Sequence, residues 1–174
     1  MIEERTIWTD VISFIAATPG ISDYEIVQAA QAQVINPNKK TLVLDMIGSP
    51  HYGWQGSKDV PTNGANMEHQ EIFYQEYMFQ VTALVKKKVN DLTMSGLDVL
   101  MRVASFLQSD AGLKLINTAG YGIYRVKEIR TGYFLNDNDV FEKAPNFDFT
   151  VKRRQVISSE IPSIDGINGV VHMQ

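Results

Sequence analysis

A stretch of regular alternation near the C-terminal end constrains this chain more than any other feature. In the segment FEKAPNFDFTVKRRQVI, the apolar residues Phe147, Phe149 and Val151 are separated by polar residues. A period of two residues places such side chains on one face of an extended strand. The segment therefore predicts a β-strand with an apolar face. It runs into an isoleucine-rich tail over residues 158–174, which we expect to be an extended arm.

Helical spacing of apolar residues appears in two other regions. Residues 3–17 predict an amphipathic N-terminal helix that ends before Pro19, and residues 95–108 predict a central helix. A shorter helical segment is predicted over residues 111–117. The expected core stripe of the central helix consists of Leu97, Leu100, Met101, Ala104 and Leu107.

The remaining periodic segments predict strands. Residues 71–86 are rich in aromatic and β-branched residues and predict a long strand. Residues 22–35 are ambiguous, because a capping-box pattern favours a helix while alternation favours a strand. We favour a hairpin-like pair with a strand over residues 41–47. Residues 48–66 contain glycines and prolines without periodicity and predict a long loop. Further strands are predicted over residues 121–130 and 146–157.

The order of these elements predicts one α+β domain over residues 1–174. We expect a mostly antiparallel sheet of about four to five strands, packed against the N-terminal and central helices, with the C-terminal arm extended from it. A chain of 174 residues is long enough for a single substantial core.

Composition excludes several classes of function. The formal net charge of -4 is unlike the basic balance of a dedicated nucleic-acid-binding protein. The chain contains no cysteine, which removes disulfides and thiolate metal sites. We expect neither a signal peptide nor a membrane association, because the first residues are acidic and no apolar run reaches the ~20 residues of a membrane helix.

Catalytic patterns are equally scarce. His51, His69 and His172 are isolated, without the spacing of a metal site. The segment GWQGSK has the wrong residue order for a phosphate-binding loop. We therefore expect no enzyme activity, catalytic residue, metal or cofactor.

The candidate functional residues are instead residues of interfaces. An aromatic pair, Tyr52 and Trp54, resembles an interface anchor, although Trp54 packed as core is equally compatible with the sequence. Two basic clusters are either solvated edges that discourage strand pairing or contacts with acidic neighbours or passing DNA. The apolar tail is a candidate for contacts between subunits. The basic and tail residues are Lys86, Lys87, Lys88, Lys152, Arg153, Arg154, Ile161, Ile164 and Ile167.

Segments along most of the chain resemble the neck and tail-terminator proteins of long-tailed bacteriophages. They are the N-terminal helix, VQAAQAQVINPNKKTLVLDMI, the strand ending VTALVKKK, the helix LDVLMRVASFLQSDAGLKLINTAG, the strand GIYRVKEIRTGYFL and the last strand with its tail. The resemblance implies a virion structural protein that forms a ring, typically six-fold, at the head-proximal end of the tail.

The resemblance also implies the partners. The ring would stop growth of the tail tube and contact copies of itself, the tail-tube protein and the head-neck connector, with DNA only passing through its lumen. Assembly would take place in the host cytoplasm. A sheath terminator or a connector is an alternative within the same class. A small ligand- or peptide-binding module and an enzyme with an unrecognised site are the alternatives outside it.

Overall fold

The protein is described from a computed structural model, which defines residues 4–29, 40–62, 66–85, 94–135 and 141–162. The helices of these residues are α1 (Glu4–Ala16), α2 (Gly96–Leu107) and α3 (Asp110–Thr118). The strands are β1 (Glu25–Gln28), β2 (Thr41–Gly48), β3 (His51–Pro61), β4 (Asn66–Leu84), β5 (Tyr121–Val126), β6 (Arg130–Leu135) and β7 (Phe141–Pro162).

The strands form one sheet in the order β1-β2-β4-β7-β5, with β3 added to β4 and β6 added to β7. Gln80 of β4 donates a hydrogen bond to Asp148 of β7, while Glu68 of β4 is bonded to Ser158 of β7. Residue numbers thus fall along β7 as they rise along β4, so these two strands run antiparallel. The predicted α+β class with a mostly antiparallel sheet is confirmed, and the described part of the chain has seven strands instead of four to five.

The chain divides into two compact units. The first, which we call the core unit, comprises residues 1–50 and 76–153, and the second, the strand unit, comprises residues 51–75 and 154–174. The described residues of the strand unit belong almost entirely to β3, the first half of β4 and the end of β7. Only β4 and β7 contribute residues to both units.

The core unit is built around aromatic contacts between α1 and the two long strands. Trp8 of α1 meets Phe79 of β4 edge-on, with ring centroids 5.3 Å apart, and Phe79 stacks on Phe149 of β7 at 5.6 Å. Phe147 and Phe149 are fully buried, as the alternating pattern predicts. Each large side chain buried in this way contributes about 1.5–3 kcal/mol. The predicted apolar face of α1 is also buried, through Ile7, Trp8, Val11, Phe14 and Ile15.

Helix α2 buries Leu100, Ala104 and Leu107 of the predicted core stripe, but not its other two residues. Leu97 and Met101 are exposed, whereas the adjacent stripe is buried. The predicted core stripe was therefore wrong for these two residues. Both stripes have helical spacing in the sequence, and the sheet selects the one that also carries two β-branched residues. The buried stripe consists of Val99, Leu100, Val103, Ala104 and Leu107.

Side-chain caps set where α2 and α3 begin. The Ser95 hydroxyl accepts a hydrogen bond from the Asp98 backbone N–H at 3.2 Å, and the Asp98 carboxylate accepts one from the Ser95 N–H at 3.0 Å. Ser109 caps α3 in the same manner through the Gly112 N–H. A Cβ atom at Gly112 would overlap the Phe106 carbonyl oxygen, so glycine is what permits α3 to start so close to α2.

The strand unit overturns the prediction of a loop over residues 48–66. Residues 51–61 form β3, which pairs antiparallel with β4 from His51 opposite Gln75 to Pro61 opposite Met67. The register shifts between Tyr52 and Gly56. A Cβ atom at Gly56 would meet nothing within 4 Å. This strand owes its position to the backbone ladder with β4, which leaves little trace in side-chain periodicity.

Two further predictions need correction. The pair predicted as hairpin-like is parallel, because Glu25 of β1 lies opposite Thr41 of β2 and Gln28 lies opposite Leu44. Within the ambiguous segment, residues 22–29 are described and contain strand β1, as favoured, whereas residues 30–39 lie outside the described residues. Residues 158–162, predicted as the start of the C-terminal arm, belong to β7, and the rest of the predicted arm lies outside the described residues.

Candidate assembly surfaces

The outer side of α2 carries an exposed apolar surface of the core unit. Leu97 is 41% exposed and Met101 is 54% exposed, and they lie one turn apart. Leu97 also lines a groove of about 330 Å³. The groove is mostly apolar, so this surface suits contact with another apolar surface. Its lining residues are Ala83, Val85, Ser95, Gly96, Leu97, Thr131 and Pro145.

One residue of the predicted basic cluster on β7 has an internal role. The Arg153 guanidinium lies over the Tyr121 ring, 5.1 Å from its centroid, and donates a hydrogen bond of 3.3 Å to the Tyr121 hydroxyl. That hydroxyl donates a hydrogen bond of 2.8 Å to Asp10 of α1. Burial, followed by the hydrogen bond to Asp10, raises the pKa of Tyr121 to about 12. Arg153 therefore links β7 to β5 and α1 within the core unit.

The other two basic residues of this cluster differ in exposure. Lys152 is half-buried and has interactions within the molecule, whereas Arg154 is exposed. Because successive strand residues point to opposite faces, the three charges do not form one patch. The prediction that they contact an acidic neighbour or DNA stays a prediction for Arg154.

A buried carboxylate lies on the predicted polar face of β7. Asp148 is only 4% exposed and accepts hydrogen bonds from Arg130 at 2.7 Å and from Gln80 at 3.0 Å. The Lys127 ammonium lies 3.5 Å from its second oxygen. A buried carboxylate with two cations and an amide has its acceptor sites occupied. This cluster joins the chain before β6 to the two central strands, and the alternation of β7 gave no sign that its polar face is also covered.

Polar pairs across the strands of the strand unit add to its backbone ladder. His69 of β4 lies opposite Asp59 of β3, with 2.6 Å between the ring Nδ1 and a carboxylate oxygen. On the other side of β4, a hydrogen bond from Ser158 lowers the pKa of the Glu68 carboxyl. All the fully buried apolar side chains of the described residues belong to the core unit. The strand unit thus presents two half-exposed faces.

The end of β7 adds exposed apolar groups to the strand unit. Val156 is 40% exposed and Ile157 is 48% exposed, and as neighbours they point to opposite faces of the strand. Ile161, a predicted interface residue, follows them on the same strand and is half-buried. The sequence placed the apolar tail beyond this point and missed Val156 and Ile157, whose alternation was read only as strand.

The remaining predicted interface residues are distributed as follows. Tyr52 and Trp54 lie on β3 in the strand unit and not in a loop. Lys86, Lys87, Lys88, Ile164 and Ile167 lie outside the described residues. Tyr52, Trp54, Arg154 and Ile161 all belong to the strand unit, while Lys152 and Arg153 belong to the core unit. The exposed apolar pair on α2 was missed because the sequence assigned it to the core.

The described residues contain no cluster of three or more His, Cys, Asp or Glu side chains that could hold a metal ion. In the same part of the chain, no helix has the length and apolar character needed to cross a membrane.

Comparisons with known proteins identify a matching family and a similar solved structure. The chain matches the family model of the E217 gateway protein gp29 over residues 5–163. Its structure is similar to the sheath/tube terminator of an extracellular contractile injection system, PVC, in the extended state, with a TM-score of 0.54 and 8% sequence identity. That likeness covers 100% of this chain and 65% of the other chain, so the present protein spans about two thirds of its length. No curated protein matches the sequence.

The family match extends from the first turn of α1 to the end of β7 and includes both units. It covers every surface described above, and the terminator-like fold agrees with the resemblance read from the sequence. The chain therefore belongs to the E217 gateway protein gp29 family.

Proposed function

We propose that this protein forms a closed homomeric ring, six-fold in its simplest form, at the head-proximal end of the tail. The ring ends growth of the tail tube and presents the opposite face to the head-neck connector. The observation that carries the proposal is the family match over residues 5–163, which spans both units. Ring formation takes place in the host cytoplasm before the head and tail join.

The division of the chain into two units supports this role. The core unit folds around its own buried side chains, so it can serve as a stable body before assembly. The strand unit has exposed apolar groups at Val156 and Ile157 instead of a buried cluster among its described residues. Such groups gain about 25 cal/mol for each Å² that a neighbour covers. Contacts between identical subunits that close by rotation produce a ring.

The surface of α2 is the candidate for contacts along the tail axis. Leu97 and Met101 form an apolar ridge beside the 330 Å³ groove. A tube or connector subunit that inserts an apolar side chain there would be recognised by shape. If the opposite face of the ring lacks this groove, another ring of tube protein would find no matching surface there, and the tube would stop growing.

We also propose that the protein has no catalytic activity and binds no cofactor. The support is that the buried polar groups described above are engaged in structural contacts. Asp148 is held by Arg130 and Gln80, and the Tyr121 hydroxyl lies between Asp10 and Arg153. DNA would contact the ring only in passing, which suits the formal net charge of -4.

The test measures mass and tube length separately. Light scattering behind size-exclusion chromatography should give a closed oligomer at high protein concentration, and negative-stain images should show rings. Tube protein polymerised with the oligomer should give short tubes capped at one end, and Met101→Glu should restore long tubes. Met101→Leu, which keeps an apolar side chain at the same exposed position, is the control and should leave the tubes short. A strict monomer, alone and with tube protein, would overturn the proposal.

The same assay separates the members of this structural class. A sheath terminator would cap polymerised sheath and leave the tube protein unaffected. A connector would bind the head-neck ring and cap neither polymer. Running the three mixtures in parallel therefore assigns the axial partner.

A further inference from the structure

Both outer edges of the strand unit are open within the described residues. Strand β3 pairs with β4 and with no other described strand. On the opposite side, β5 covers β7 only up to Arg153, and β6 covers only Phe141 to Asn146. Residues 154–159 of β7 therefore have β4 on one side, where Ser158 is bonded to Glu68, and no described strand on the other.

The backbone groups on the open side of β7 can be identified. The Lys127 N–H donates to the Asp148 carbonyl at 2.8 Å, which shows that the backbone of Asp148 faces β5 and not β4. Strand backbone groups alternate in direction, so even-numbered residues of β7 face that side. Arg154, Val156 and Ser158 thus direct their N–H and C=O groups outward.

An open edge of this kind is normally protected in a soluble protein. Common devices are a proline, an inward-pointing charge or a covering loop. Residues 154–159 read RQVISS and contain no proline and one charge. They include Val156 and Ile157, both exposed. A three-stranded sheet without a packed face is only marginally stable by itself. The strand unit therefore gains most from a partner that continues its sheet.

The strand directions determine which partner fits. Both β3 and β7 run antiparallel to β4, so the two edges of the strand unit run in the same direction. Rotation about a ring axis does not reverse a strand relative to that axis. When β3 of one copy lies beside β7 of the next, the two strands are therefore parallel. Each junction uses the β3 edge of one copy and the β7 edge of its neighbour.

Building on the ring of the proposed function, we propose that residues 154–159 of one copy pair in parallel with β3 of the next copy. The junction would join the strand units of the ring into one continuous sheet. Each copy uses its β7 edge toward one neighbour and its β3 edge toward the other. The contact is therefore heterologous, and a closed assembly built from it is a ring. The main-chain hydrogen bonds supply the register, and Val156 and Ile157 supply apolar contacts on the two faces.

Cross-linking tests the junction directly, because the chain has no cysteine of its own. One protein carries Ser57→Cys or Lys58→Cys on β3, and a second carries Val156→Cys or Ile157→Cys on β7. Oxidation of the four mixtures should give a disulfide dimer in at least one register, since disulfides need Cα atoms within about 7 Å. A chain that carries both members of the successful pair should give a ladder that ends at the ring size.

A proline at position 156 tests the hydrogen bonds. Val156→Pro removes an N–H that faces outward and leaves the ladder to β4 intact, so the subunit should melt like the wild type. Association should weaken by at least about tenfold, since each lost junction hydrogen bond and its unpaired acceptor have a measurable cost. Val156→Ala keeps the N–H and serves as the control, with a smaller loss.

The outcomes separate this proposal from the proposed function. Rings that form normally with Val156→Pro, or rings without any cross-link between β3 and β7, would refute the strand junction and leave the ring intact. Cross-linking of Val156→Cys only with itself would show a two-fold contact and also refute it. A wild-type protein that forms no ring under any condition would refute both.

Discussion

The two units of this protein obtain their order in different ways. The core unit buries Phe79, Phe147 and Phe149 completely and surrounds them with α1 and α2. The strand unit, in its described part, has no side chain buried to that degree and relies on pairs such as His69 with Asp59. Hydrophobic burial outweighs exposed polar pairs by several-fold per residue.

This difference indicates a division of labour. A unit with its own core is stable at any concentration, whereas a unit without one depends on what it touches. In a ring protein, the second kind of unit is the better place for subunit contacts, because its ordering is completed by assembly. Three substitutions, one for each level of burial, test this difference between the units.

The largest effect is expected in the centre of the core unit. Leu100→Asp places a charge at a position with no exposed surface, and we expect a loss of about 4 kcal/mol or more, enough to unfold the subunit. Met101→Asp, on the next residue of the same helix, should cost less than about 1 kcal/mol because Met101 is 54% exposed. Circular dichroism during urea unfolding measures both. A folded Leu100→Asp variant would show that the face of α2 is wrongly assigned.

An intermediate effect is expected at the contact between β5 and α1. Tyr121→Phe keeps the edge-on contact with Phe14 but loses both hydrogen bonds of the hydroxyl, for about 1–2 kcal/mol. The pKa of Tyr121 is about 12 in the folded protein against an ordinary value of 10.0. The stability that the protonated Tyr121 hydroxyl contributes is therefore complete below pH 10 and is lost as the pH rises through about 12.

Unfolding measured between neutral and alkaline pH checks this sign. The wild type should lose more stability above pH 10 than Tyr121→Phe, and the two curves should converge. Burial raises the pKa of both Tyr77 and Tyr121, so spectrophotometric titration should show late-ionising tyrosines, and Tyr121→Phe should remove one of them. Parallel curves for the two proteins would show that Tyr121 has no such linkage.

The smallest effect is expected in the strand unit. Asp59→Asn weakens the contact with His69, and for a half-exposed pair we expect about 0.5 kcal/mol. Hydrogen exchange should show about twofold faster exchange in β3 with the exchange of the core unit unchanged. Lys58→Gln, one residue earlier, is the control. A fall in the global melting temperature would mean that the two units unfold together, contrary to the comparison above.

The sequence predicted well wherever side chains are buried on one face. The alternation around Phe149 and the helical spacing of Ile7, Val11 and Ile15 both correspond to buried positions. These patterns exist because each element must hide one face from water. The fold class and the family resemblance rest on the same elements.

The failures lie where the backbone or a distant partner decides. Strand β3 contains Gly53 and Gly56 and is defined by its ladder with β4, which no local pattern records. On α2, two overlapping stripes fit a helix, and only the position of the sheet places Met101 outside. Asp148 is buried by Arg130, 18 residues earlier, a pairing that single-strand alternation cannot show.

The assembly surfaces were predicted only in part. Aromatic and basic residues drew attention to Trp54 and Arg154, which share the strand unit. Arg153 was included because of its charge, although its guanidinium is engaged with Tyr121. Whether a strand edge is open depends on which other strands lie beside it. The sequence of residues 154–159 alone therefore cannot predict that this edge is open.

The hydrogen bond between Asp10 and Tyr121 joins residues 111 positions apart in the chain. The ribosome completes α1 early, but Tyr121, which anchors α1 to β5, emerges only after most of the polypeptide has been made. A prematurely terminated product without β5 and β7 would keep the contact of Trp8 with Phe79 but lose the contacts of Asp10 and Phe14 with Tyr121. Its α1 would be only partly docked, which would expose such a fragment to proteolysis.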